Sequence, residues 1–188
     1  DIQLDDKGFI QVNGYLQTSC PHIYAIGDVT GKLQLAHVAS AQGIVVAEHA
    51  TGQHPRKMHY EVVPSVVFAE PELASVGMSE EEARRHVEGE LKIGKFQFRA
   101  LGKAMASGET DGFVKVIADA ATDEILGVHI VSAHARAQLA GGAMALSLES
   151  TLKEVAETIH AHPTMPEAVM EAVEVALGQA IHVPPNRQ

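Results

Sequence analysis

The chain has 188 residues, of which 46% are hydrophobic, enough to bury a substantial core and too many for a disordered polypeptide. Its 14 basic and 24 acidic side chains leave a formal charge of -10 with no basic cluster, so neither nucleic acid nor an anionic membrane surface is an expected partner. The longest uncharged helical stretch, Ala137 to Leu148, falls well short of the roughly 20 residues a bilayer span requires, and a soluble protein is expected.

Gly8, Phe9 and Ile10 lead through Val12 into a turn at Asn13 and Gly14, and the apolar run Ile23 to Ile26 ends at Gly27 and Asp28. This opening reads as strands and turns. From Ala36 to Ala50 the residues Val38, Ala41, Val45 and Ala50 recur at near-helical spacing, and Thr51 with Gly52 stops the run. Gly52 to Lys57 is a polar, turn-rich joint, which places a domain boundary between residues 1–56 and 57–188. Beyond it, Val62 to Phe68 and Ala74 to Gly77 are strand candidates, and Ser79 with Glu82 forms a capping box that opens a helix through Val87. Leu91 to Phe98, Phe113 to Ala118 and Ile125 to Val131 are further strands, separated by turn material containing Gly102, Gly108, Gly112 and Asp123. Helical segments follow at Ala135 to Leu148, Leu152 to Ile159 and Met165 to Ile181. Runs of strands followed by runs of helices predict an α+β fold, an antiparallel sheet with helices.

Asp1 opens the chain without an initiating methionine or a leader pattern, so the start is expected to be a designed or proteolytic boundary. With Cys20 as the single cysteine, dithiol chemistry must draw its sulfur from outside this chain.

The strongest chemical constellation is His160-Ala161-His162-Pro163-Thr164-Met165-Pro166-Glu167, followed by an apolar helical pattern. Pro163 disfavours helical geometry at His162, while Glu167 falls in the first turn of the next helix, so the carboxylate can fold back onto the imidazole. A carboxylate against one ring nitrogen fixes the tautomer and raises the basicity of the other. Thr164 and Glu167 also spell a T-x-x-E capping box with Pro166 in the first turn, which would make Glu167 only a helix cap. Spacing alone favours the cap. The histidines at 22, 49, 54, 59, 86, 129, 134 and 182 show no metal-ligand spacing, and no metal is predicted. Met144, Met165 and Met170 read as core or interface fillers.

HAHPTMPEAVMEA resembles the HAHPT-x-x-EA signature of dihydrolipoyl dehydrogenases, flavin-dependent disulfide oxidoreductases of the pyridine nucleotide-linked class. TSCPHIYAIGD is similar to that family's second flavin-binding motif, and LAHVASAQG to the segment that follows it. VPSVVFAEPELASVGMSEEEA and ETDGFVKVIADAATDEILGVHIV resemble its interface domain, so the likeness runs over essentially the whole chain. The resemblance implies a catalytic dyad of His162 and Glu167, with Gly27, Asp28, Leu35, Ala36 and His37 beside the flavin. It also implies the tail of a Rossmann-like FAD domain ahead of a dimerisation domain. By the same resemblance the enzyme is a homodimer using FAD and NAD to oxidise dihydrolipoamide, with an acyltransferase subunit of a 2-oxo acid dehydrogenase complex as a further partner. A bacterial cytoplasm is favoured over a mitochondrial matrix. The glycine-rich flavin loop, the redox cysteine pair and the nicotinamide domain are not in these residues, so the chain by itself is expected to be inactive and to retain no cofactor. Pro166, Gln42 and SAHARAQLAGG depart from the family pattern. Mercuric reductases are disfavoured by the missing C-terminal cysteine pair, and glutathione reductases by Ala168 after Glu167. The competing class is a non-catalytic dimerisation and docking module.

Overall fold

The computed structural model describes residues 1–184. They divide into two compact units, one from Asp1 to Tyr60 and one from Glu61 onward.

In the first unit, α1 (Ala36–Ala50) buries Val38, Gln42 and Val45. The segment before it is not the expected set of strands. Its pairing consists of isolated bridges, Leu4 with Ile10 and Gln17 with Tyr24, because a strand exists only by hydrogen bonding to a neighbour and Ile23–Ile26 has a single bridged position. Gly27–Thr30 forms a 3-10 turn, with Gly27 at φ 71°, a left-handed conformation that a side chain would oppose.

The second unit is built on a five-stranded antiparallel sheet of order β1-β2-β5-β4-β3, from β1 (Ser65–Val67), β2 (Glu72–Gly77), β3 (Leu91–Gln97), β4 (Phe113–Asp119) and β5 (Ile125–Ser132). Of the run expected as a strand from Val62, only Ser65–Val67 pairs; Tyr60–Val62 is a 3-10 turn. Strand β5 lies centrally, and its burial alternates except at Gly127 and Val128, both buried, beside the register shift in its pairing with β4. Between β2 and β3, α2 (Glu80–His86) starts at the full capping box of Ser79 and Glu82. The stretch around Gly102 and Gly108, expected as turn material, contains α3 (Gly102–Ser107). Ala104 is fully buried there, and Gly108 in the left-handed region ends the helix.

Three helices complete the unit: α4 (Ala135–Ser147), α5 (Leu152–Glu157) and α6 (Glu167–Leu177). The core gathers Val76, Phe96, Val116, Val128 and Ile130 of the sheet with Leu139, Leu152 and Val169 of the helices. Helix α6 is shorter than the periodicity suggested. Pro166 stands at its N-cap, and Gly178 at φ 72° ends it before Ile181. Its contact with β3 is unusually close, since a Cβ on Gly94 would lie 1.8 Å from the Ala172 carbonyl oxygen. That approach fixes where α6, and the carboxylate at its start, can sit.

Candidate functional site

The segment before α6, expected to be extended at His162 but bent at His162 and Pro163, delivers His162 to the surface with 76% of its side chain exposed, while Glu167 is largely enclosed at 12%. Glu167 Oε1 lies 2.8 Å from His162 Nδ1, and Oε2 accepts the Thr164 backbone N–H at 2.6 Å. An ionised carboxylate can only accept, so Nδ1 is the donor in this contact and Nε2 lies on the side of the ring away from Glu167. Burial pushes the Glu167 carboxyl up. The Thr164 N–H, the His162 hydrogen bond and the nearby charges of His162 and His160 outweigh it and hold the group below the ordinary carboxylate range. The site therefore keeps a carboxylate on one face of an exposed imidazole.

The expected capping box at Thr164 is half formed. Its N–H reaches Glu167, but its hydroxyl donates to the Ala161 carbonyl at 2.7 Å instead of accepting from the helix. With Pro166 in the cap position, α6 has no side-chain cap at its N-terminus. His160 turns elsewhere: its Nδ1 is 2.8 Å from the Thr158 carbonyl, and the ring lines an apolar cavity of about 250 Å³ beside Val155, Pro166 and Val169.

In the first unit, Gly27 is buried and Asp28 exposed. The Gly27 N–H is held at 2.6 Å by Oε1 of Gln42, a side chain with no exposure, whose Nε2 donates to the Tyr60 hydroxyl at 2.9 Å. The sequence marked Gln42 only as a departure from a pattern, whereas the structure makes it the anchor of the Gly27–Asp28 turn. A Cβ on Gly27 would lie 3.3 Å from Ala39 Cβ, so the turn packs closely on α1. Leu35 is the N-cap of α1 in extended conformation with no side-chain cap, and Ala36 and His37 form the exposed first turn.

Another acid–imidazole pair was missed. Glu171, only 3% exposed on α6, has Oε1 2.5 Å from His182 Nδ1. The eleven-residue separation and the intervening Gly178 turn hid this pair from a reading by short motifs. Other histidines pack structurally: His129 bonds Ser75 Oγ and the Met78 carbonyl, and His49 stacks on Tyr15 with centroids 4.6 Å apart. Among the described residues no group of three or more His, Cys, Asp or Glu side chains is placed to hold a metal ion.

The family model described as pyridine nucleotide-disulphide oxidoreductase, dimerisation domain, matches residues 63–173, more than half of the chain. The chain belongs to this family. Residues 1–43 match a second model, described as pyridine nucleotide-disulphide oxidoreductase. The chain is 49% identical over 177 residues to the dihydrolipoyl dehydrogenase of Bacillus subtilis, covering 94% of this chain and 37% of the relative. It is 45% identical over 185 residues to that of Chlamydia muridarum, covering 98% and 39%. Among solved structures, LpdA from Mycobacterium tuberculosis superposes with a TM-score of 0.85 at 29% identity, over 92% of this chain and 38% of that one. The HOCl-induced flavoprotein disulfide reductase RclA from Escherichia coli gives 0.83 at 26%, over 92% and 40%. The chain thus spans under two fifths of the length of these curated relatives, and it corresponds to their flavin-tail and dimerisation region.

Proposed function

We propose that this chain is the flavin-contacting tail and subunit interface of a dihydrolipoyl dehydrogenase, in which His162 is the base for thiol chemistry and Glu167 orients it. The observation that carries the reading is the 2.8 Å contact of Glu167 Oε1 with His162 Nδ1, made by an enclosed carboxylate to an exposed ring. Nε2 of His162 takes the proton from a dihydrolipoamide thiol as the sulfur attacks a disulfide supplied by the rest of the enzyme. One S–S bond forms as the other breaks, and the leaving thiolate keeps its electron pair. The Glu167 carboxylate then faces an imidazolium, which it stabilises.

The Gly27–Asp28 turn and the start of α1 fit a flavin: an exposed carboxylate follows a glycine in a left-handed turn, and the first turn of α1 is exposed and lacks a side-chain cap from Leu35. Asp28 would hold a ribityl hydroxyl, and the backbone of Leu35, Ala36 and His37 would lie by the flavin's pyrimidine side, where a helix N-terminus favours negative charge. FAD, when bound, supplies the electron relay between the dithiol and NAD. The cofactors and the redox disulfide belong to the longer enzyme, and the 188-residue chain is inactive without them. Residues from about 57 onward form the homodimer interface, supported by the exposed apolar side chains Met144, Leu148 and Ile159 of that region. Docking to an acyltransferase subunit is a property of the same dimer.

The test is a chimera in which these residues replace the matching region of the Bacillus subtilis enzyme. The chimera is expected to oxidise dihydrolipoamide, and His162→Gln to lower that rate by roughly 10²–10⁴, the usual contribution of a general base. Transfer from NADH to an artificial acceptor bypasses the dithiol and is expected to survive. Parental dihydrolipoamide turnover in His162→Gln would remove the assignment.

A further inference from the structure

We propose that Glu171 and His182 form a proton-operated latch that holds the segment from Gly178 to Val183 against α6 while His182 is charged and loosens it when that charge is lost. The device rests on the geometry of α6 alone and stands whether or not His162 is a base.

Four observations support it. Gly178 ends α6 in a left-handed turn, so the chain doubles back and brings His182 to within 2.5 Å of Glu171 Oε1. The two partners sit in opposite surroundings: 4% of the Glu171 side chain is exposed against 62% of His182, so a proton can be exchanged at the imidazole without opening the helix. Oε2 of Glu171 is buried with no hydrogen-bond partner among the described residues, which leaves His182 as the group that compensates this carboxylate. Val183, next in sequence, packs against the core and is what the latch holds in place.

The charged groups on the elements packed around α6 are occupied elsewhere. On β3, Lys92 pairs with Asp123 and Lys95 lies over the Phe113 ring; on β4, Lys115 pairs with Glu80. On α5, Lys153 pairs with Glu157, and Glu154 caps Thr151. On α6 itself, Glu167 is engaged by His162 and Thr164. Glu174 adds a second negative group, its carboxyl pushed up by burial and by the charge of Glu171, with His182 acting in the opposite sense. The balance around Glu171 is therefore negative, and removing the imidazolium leaves a buried carboxylate short of a counter-charge, the costly half of a broken buried pair.

The test uses the 188-residue chain and the {1H}-15N heteronuclear NOE of the amides from Ala180 to Val183, a measure of fast backbone motion. At pH 5.5 these values are expected to approach those of α6, and at pH 8.5 to fall to less than half of them. His182→Gln should be low at both pH values, and His182→Arg, which keeps its charge, should stay high at both. Glu171→Gln should abolish the pH dependence; since that substitution touches the core, the His182 variants on the exposed side keep the test decisive if it fails to fold. Equal order of Ala180–Val183 at both pH values in the parent, or a pH-dependent loss that persists in His182→Gln, would overturn the latch.

Discussion

Glu167 contacts His162 at 2.8 Å through Oε1 while its Oε2 takes the Thr164 N–H at 2.6 Å, so one carboxylate both touches the imidazole and supports the turn before α6. The two contacts coexist because a carboxylate has two oxygens, and the Thr164 hydroxyl, turned to the Ala161 carbonyl, braces the same turn from the other side.

The first prediction separates the two duties. Glu167→Gln retains a carbonyl for the Thr164 N–H but presents no charge to His162. In the chimera it is expected to reduce dihydrolipoamide turnover by about tenfold or more while costing only about 1 kcal/mol of stability. Because the folded-state pKa of Glu167 lies below its ordinary value, its contribution to stability is present above the unfolded value and lost as pH falls through the folded one. The difference in Tm between parent and variant should therefore be full at pH 7 and vanish in strong acid. Unchanged dihydrolipoamide turnover would leave Glu167 as a support for the turn only.

Glu174 predicts the opposite pH behaviour. Burial and the neighbouring Glu171 charge raise its pKa, so the folded state favours the protonated form; that contribution is complete below the unfolded value and disappears as pH rises through the folded one. Glu174→Gln should raise Tm at pH 7 and change it little at pH 4. Thermal melts at the two pH values settle the matter, and a variant less stable at pH 7 than the parent would contradict the assigned cause.

Gly94 tests how tightly α6 is placed. In Gly94→Ala the new Cβ would meet the Ala172 carbonyl oxygen at 1.8 Å and the Ala176 nitrogen at 2.7 Å, both backbone atoms, so the helix itself must move. Overpacking of this kind costs roughly 1–3 kcal/mol. Since α6 carries Glu167, the amide signal of Thr164 should shift as well. A variant with parental Tm and an unmoved Thr164 amide would show that β3 and α6 have more freedom than the spacing indicates.

Much of the second unit was legible because the apolar, β-branched runs of β4 and β5 and the apolar stripe of α6 are local patterns that burial turns directly into structure. Helix α3 was not legible: it opens on Gly102 and is capped by Gly108, and the buried Ala104 contact with the core is a long-range fact. The expected strand before Gly27 failed for the converse reason, since an apolar run specifies an extended chain but cannot supply its neighbour. At the site, His162 and Glu167 were readable from a short motif, whereas Gln42 and the Glu171–His182 pair depend on folding that brings distant positions together.

Gln42 gives the last prediction. Its fully buried amide accepts from the Gly27 N–H at 2.6 Å and donates to the Tyr60 hydroxyl at 2.9 Å, so it joins the turn before α1 to the end of the same unit. Gln42→Leu keeps most of the volume but leaves the Gly27 N–H buried without its acceptor, a loss of about 1–3 kcal/mol. Gln42→Glu should be tolerated better, because a carboxylate still accepts from Gly27 and the Tyr60 hydroxyl can rotate to donate to it, offsetting part of the cost of a buried charge. The expected order of Tm is therefore parent, then Glu, then Leu. Because Gly27 positions Asp28, the proposed ribityl contact, Gln42→Leu in the chimera should also release flavin at a lower denaturant concentration than Gln42→Glu. A Leu variant as stable as the parent would show that the Gly27 turn is held by its packing on Ala39, and the hydrogen bond would then have no part in placing Asp28.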